Sequence, residues 1–256
     1  MVVTWIFDFD YDFTAPKSVS AFVDKYVVLP ADSIVGSWPD ICYPCVAYGT
    51  MRKLMGMIRQ PKICEAVFDD YSTLRCSYYY RYIYEFLGRA VFIVPFAALG
   101  CLRWDEILGE RVFIRPDSNC KPFEAEVVAV DSLDDFIERN GYRQQHELVV
   151  VSEVVDLGEE YRCFCRDGRV FCHSSYPLPP YTSAPPHVIA FAEKVACLLV
   201  QCGFSSMLTI DIACGDRLRV VEIGGVNSWG IYGGCVHSFI KSMEEEAIFR
   251  QNDIMS

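Results

Sequence analysis

The chain opens on an apolar, β-branched and aromatic run, VVTWIFDFD, short enough that its residue types predict a buried strand. The acids Asp8, Asp10 and Asp12 lead from it into a loop containing Pro16. A second strand is expected over 26–29. From Val46 to Ile58 apolar residues recur at helical spacing, and Pro61 ends the run. Another helix is expected from Tyr71 to Leu87, with Gly88 as its cap. Its tyrosines, Tyr78, Tyr79, Tyr80, Tyr82 and Tyr84, read as packing surface. The first hundred or so residues thus read as a small α/β unit.

Beyond that point the pattern becomes richer in strands. Strands near 112–115 and 123–130 bracket a Ser-Asn-Cys turn with Lys121 just past it. Ser132-Leu-Asp-Asp resembles a capping box and opens a helix expected to end at Asn140-Gly141. A strand from Leu148 to Val155 precedes a hairpin, Tyr161–Arg166 and Val170–Ser175, around the Asp167-Gly168 turn. Five prolines between Tyr176 and Pro186 impose an irregular loop. His187 to Gln201 is amphipathic and closes at Gly203. Two strands, Met207–Ala213 and Leu218–Ile223, flank a Gly-Asp turn, and a glycine-rich loop leads to a final helix.

Composition narrows the classes. The chain has 256 residues, 52% of them hydrophobic and 22% charged, which is the balance of a folded globular protein. A net charge of −11 argues against non-specific binding to nucleic acid or anionic membrane, since both need a basic face. Met1 leads directly into a strand-like run and then acids, so no signal peptide is expected. The 13 cysteines are odd in number, which favours free thiols in a reducing, cytoplasmic setting. Cys42 and Cys45 have metal-like spacing, and Cys163, Cys165, Cys172 and His173 would complete a zinc set only if they left their strand-like alternation. Val91 to Leu102 is too short to span a bilayer.

Candidate chemistry lies at strand ends. Arg115, extended because Pro116 follows, and Lys121 offer a planar fork and a point charge, the two kinds of phosphate donor. Solvated surface cations are the plain alternative. Glu160 and Arg162 share one face of a strand by period two, so Arg162 could clamp a phosphate or a substrate carboxylate with Glu160 orienting it. Asp211 and Glu222 each sit in an otherwise apolar strand, where a carboxylate needs a partner or a metal. With Asn227 as a neutral oxygen, they suit magnesium better than calcium or zinc, although structural ion pairs would also satisfy them.

RPxxxxKxF from Arg115, the EYR strand, DIA at Asp211 and VVEI…NSxGxY together resemble a small ATP-grasp clade of bacteria and phages, marked by two arginines and a lysine. YGTMRKLMGMIR extends the resemblance upstream, to about Pro39. The resemblance implies an α+β ATP-grasp fold of two lobes gripping nucleotide, preceded by a small α/β domain. In those terms 1–103 is the preceding domain and 104–256 the ATP-grasp region, its first lobe ending near 155 and its second lobe covering 156–256. It implies an ATP-dependent carboxylate–amine, peptide-type ligase that passes through an acyl phosphate and forms ADP. Arg115 and Lys121 would contact phosphates, 153–155 (Glu153 to Val155) would read adenine through backbone groups, and Glu160 and Arg162 would open the second lobe. Asp211, Glu222 and Asn227 would coordinate Mg2+. The partners implied are a nucleotide, a carboxylate and an amine, with no nucleic acid and no membrane.

One position departs from the family. An Asn two residues after the metal-binding Glu is common there, and Gly224 stands in its place, which favours weaker metal binding or a nucleotide-binding module without ligation. A third class, phosphatase, is suggested by Asp8-Phe-Asp10 with Asp69-Asp70 as a metal pair. Asp12 occupies the place where that motif has Thr or Val.

Overall fold

Thr4–Asp8 forms β1, buried throughout, and pairs in parallel with β2 (Tyr26–Leu29) on one side and β3 (Cys45–Tyr48) on the other. The computed structural model describes residues 1–8, 19–29, 41, 43–60, 63–144, 147–177 and 179–255. Asp10, Asp12, Pro16, Pro39, Cys42 and Pro61, all named above, lie outside the described residues. The helical spacing expected from Val46 starts only at Met51, where α1 (Met51–Ile58) begins. Residues 45–48 are strand instead. All four are buried, and a strand covered on both faces has no polar alternation to set it apart from a helix.

Two compact units divide the chain: 1–70, 159–212 and 222–256 form the first, and 71–158 with 213–221 the second. In the first unit, β8 (Glu159–Arg166) and β9 (Arg169–Tyr176) make the expected hairpin. Asp167 and Gly168 both take positive φ there, 50° and 78°, the backbone that a two-residue turn demands. With β10 (Met207–Cys214) and β11 (Leu218–Gly224) they build a sheet in the order β11-β10-β8-β9. Helix α5 (Pro186–Gln201) covers β8 and β9 with the stripe Val188, Ala192, Val195, Ala196 and Leu199. The core of this unit joins Trp5, Phe7, Tyr48, Phe68, Phe164, Trp229, Phe239 and Met243, the last two from α6 (Val236–Met255).

The second unit begins with α2 (Cys76–Leu87), closed by Gly88 in the left-handed conformation. Then follow β4 (Val91–Pro95), α3 (Trp104–Ile107), β5 (Arg111–Pro116), β6 (Glu126–Ala129), α4 (Leu133–Gln144) and β7 (Leu148–Glu153). The sheet is antiparallel, in the order β4-β7-β5-β6, and its core face carries Val112, Ile114, Val149 and Val151 against Phe96, Trp104 and Phe136. Helix α4 runs past Asn140-Gly141. A Cβ on Gly141 would already touch the Phe96 ring at 3.6 Å, so glycine serves close packing there and does not end the helix. No helix among the described residues is long and apolar enough to cross a membrane.

The proline-rich stretch after β9 is tied back to that strand. Thr182 and Ser175 exchange hydrogen bonds, and the Ala184 N–H donates to His173 Nδ1 at 3.1 Å. That bond needs an unprotonated Nδ1, and burial lowers the His173 pKa below 6.5. The unfolded chain therefore takes up this proton first, so the stability it reflects is complete above pH 6.5 and declines as pH falls through the lower native value. Between pH 7.5 and about 5, the urea midpoint of the wild type should fall more steeply than that of His173→Gln. Parallel curves would remove His173 from the acid response.

Candidate active site

Strand register builds the centre of the first unit. Met207 pairs with Arg166 and Leu208 with Cys165, so continuing the antiparallel count sets Asp211 opposite Arg162 on one face. The two form a bidentate ion pair, Nε to Oδ1 at 2.8 Å and Nη2 to Oδ2 at 2.7 Å, and both are buried. The guanidinium also stands over three rings, with its Cζ 4.4 Å from the Trp229 centroid, 4.6 Å from Tyr176 and 5.1 Å from Tyr232. Burial works to lower the Arg162 pKa, but the charge and hydrogen bonds of Asp211 prevail and hold it above its usual value. Asp211 takes the Nε/Nη2 edge, while Nη1 meets the Gly230 carbonyl at a long 3.4 Å. That side of the fork retains donors for an anion.

Glu160 faces Tyr176 directly across the hairpin and accepts its hydroxyl at 2.8 Å. Burial, then Asp211 and Glu160, raise the Tyr176 pKa, so this phenol remains a donor. Sequence reasoning missed Tyr176, Trp229 and Tyr232 as a group. The only signal was Tyr176 two places beyond Ser174 on the face that carries Arg162.

Glu222 lies on β11, 6% exposed, and the glycine loop that follows explains the departure from the family. The Trp229 ring fills the space that a Cβ on Gly224 would need, so asparagine has no room there. Gly225 lies in the same way against the Asp69 carboxylate, which accepts the N–H groups of Val226 at 2.6 Å and Asn227 at 3.3 Å. The Asn227 carboxamide is engaged at both ends. Nδ2 donates to the carbonyls of Ala47 at 2.6 Å and Ala66 at 3.2 Å, and Oδ1 accepts from the Phe68 N–H at 2.7 Å. Asp69, read from sequence as half of a metal pair, anchors the loop.

Among the described residues no three His, Cys, Asp or Glu side chains converge as a metal cage. Magnesium asks for less: one or two carboxylates, with phosphate oxygens and waters completing its shell. Asp211 keeps a second lone pair on each oxygen beyond those given to Arg162, so Asp211 and Glu222 fit that use. Cys45, Cys163 and Cys172 are pushed up to about 12 by burial, which keeps them as thiols and opposes the zinc reading. Asp8 accepts the Thr50 N–H at 3.2 Å and its hydroxyl, with Lys53 at 4.0 Å, an arrangement that ties β1 to α1.

In the second unit Arg115 is 5% exposed and donates from Nη1 to the Val221 carbonyl at 3.2 Å. Lys121 is exposed, with φ 45°, in a turn closed by its N–H to the Ser118 carbonyl at 3.2 Å. Asp117 secures that turn to the start of α2 by accepting from the Ser77 N–H at 2.5 Å, the Ser77 hydroxyl at 2.9 Å and Arg75 Nε at 3.1 Å. Glu153 is exposed and accepts the Ala90 N–H at 3.4 Å, and Val155 is half-buried just beyond β7.

The model of an ATP-grasp domain family, family 2 of the clade named for two arginines and a lysine, matches residues 86–242, more than half of the chain. A comparison with curated proteins gives no match. The D-alanine–D-alanine ligase of Bacillus anthracis complexed with ATP superposes with a TM-score of 0.65 at 14% identity, covering 100% of each chain. D-cycloserine synthetase DcsG gives 0.61 at 13% identity, covering 96% of this chain and 100% of that one. The ATP-grasp ligase PsnB complexed with minimal precursor, Mg and ADP gives 0.59 at 11% identity, covering 96% and 97%. At such identities these likenesses establish the fold.

Proposed function

The chain belongs to family 2 of the two-arginine, one-lysine ATP-grasp clade and has the ATP-grasp fold, and from that premise we propose that it is an ATP-dependent carboxylate–amine ligase of the peptide type. An oxygen of the substrate carboxylate attacks the γ-phosphorus, the bond to the β-phosphate oxygen breaks, and ADP leaves. The amine then attacks the acyl carbon of the acyl phosphate, loses a proton and displaces inorganic phosphate. The family of ATP-grasp ligases supports this reaction class.

The observation that carries the reading is Arg162, held by Asp211 and walled by three aromatic rings. A fork fixed in this way costs little reorganisation when charge develops on the group it contacts. Its Nη1 side would hold the γ-phosphoryl group or the substrate carboxylate. Arg115 and Lys121 would bind phosphates, and the backbone of 153–155 would read adenine. Asp211 and Glu222 would hold Mg2+, which when bound neutralises phosphate charge and polarises the phosphorus–oxygen bonds. Asn227 and Asp69 keep the glycine loop in place beside them.

Asp211→Asn and Glu222→Gln should each lower magnesium-dependent ADP formation by a factor on the order of 100 or more. Wild-type turnover in either variant would remove the metal assignment. A second reading, nucleotide binding without ligation, is favoured by Gly224, where Trp229 excludes a further side-chain ligand. It predicts a melting shift with ATP and magnesium but no ADP with any amine and carboxylate supplied.

A further inference from the structure

Alternation along β5 sends Val112 and Ile114 into the core of the second unit, so Phe113 and Arg115 occupy the opposite face of that sheet. Arg89, one residue past the cap of α2, stands over the Phe113 ring with its Cζ 5.4 Å from the centroid. The residue is 8% exposed, and its Nε and Nη2 are buried without a hydrogen-bond acceptor among the described residues. Tyr80 of α2 is 3% exposed. Burial and then Cys76 push its hydroxyl above the ordinary value, while Arg115 and Arg89 both pull it back, which sets the two guanidiniums about one hydroxyl.

This arrangement is electrostatically incomplete. A guanidinium taken out of water without an acceptor is costly, and a second one nearby adds repulsion. In a chain of net charge −11 acids are plentiful, yet no described carboxylate pairs with Arg89. A tetrahedral oxyanion would relieve both problems, because its oxygens match the Arg fork and accept from a phenol. Cation–π contact with Phe113 orients the fork without neutralising it.

We propose that Arg89, with Arg115 and Tyr80, forms a subsite for a phosphoryl group in which Arg89, which lies outside the RPxxxxKxF motif, makes a direct contact. The group belongs either to the nucleotide, in which case the subsite rests on the function proposed above, or to a free phosphate.

The test follows melting of the full chain, as wild type and as Arg89→Gln, against sodium pyrophosphate and against ATP. Loss of a charge-assisted bidentate contact should weaken binding roughly ten- to a hundredfold. If Arg89→Gln weakens both ligands, the subsite holds and the nucleotide is its source. If wild type binds pyrophosphate in an Arg89-dependent way but not ATP, the subsite holds for free phosphate and the ligase proposal fails. If ATP and pyrophosphate bind both proteins equally, or the wild type binds neither, the subsite is overturned. The first of those two outcomes leaves the nucleotide reading intact. Should Arg89→Gln not fold, the Arg89 Nε–H resonance of the wild type decides: a shift on adding pyrophosphate supports the contact, and an unchanged signal overturns it.

Discussion

Arg162→Ala should destabilise the protein by about 3–5 kcal/mol and abolish ligation. The alanine leaves the Asp211 carboxylate buried without its bidentate partner and removes the centre of the Tyr176, Trp229 and Tyr232 cage. Stability and chemistry separate in the double variant Arg162→Met with Asp211→Leu. Replacing both members of a buried pair by apolar residues of similar volume is often neutral or stabilising. The double variant should therefore melt close to the wild type while forming no ADP. If Arg162→Ala alone melts within about 1 kcal/mol of the wild type, the pair is not the buried, dry interaction described here.

Asn227→Ala should cost about 3 kcal/mol, since it leaves the Phe68 N–H and the Ala47 and Ala66 carbonyls without their side-chain partner in a buried setting. Each lost bond adds a desolvation penalty of about 1–3 kcal/mol, offset in part by relaxation or water entry. The same variant distinguishes a loop staple from a metal ligand. A staple changes the melting temperature and leaves the magnesium concentration for half-maximal ADP formation nearly unaltered at a temperature where the variant stays folded. A ligand would raise that concentration by an order of magnitude or more. Asp69→Asn should resemble Asn227→Ala, because it weakens the acceptor for the Val226 and Asn227 N–H groups.

Local signals were legible where a single residue dictates the backbone. Asp167-Gly168 defines a hairpin because few other pairs tolerate two successive positive φ angles, and Gly88 marks the end of α2 for the same reason. Burial was harder to read than polarity. β3 is covered throughout and so lost its alternation, while β4 is a partly exposed edge strand made of apolar residues, VFIVP, that reads as part of a longer run. Arg162 and Asp211 each stood out as a charge in a strand, but not as partners. Their meeting depends on β8 pairing with β10, which are separated in sequence by β9 and α5. Arg89 gave no signal, because an arginine after a helix cap usually points to solvent. Asp69 gave a misleading one, since its role depends on two glycines more than 150 positions away.

The most direct test of the ligase proposal is mass spectrometry of wild-type protein, ATP, magnesium and a metabolite extract. Released ADP and new condensation products are counted together. The account predicts ADP and product in equal amounts, with both lost in Glu222→Gln. Nucleotide binding shown by a melting shift, with no ADP above the protein-free control, would contradict it.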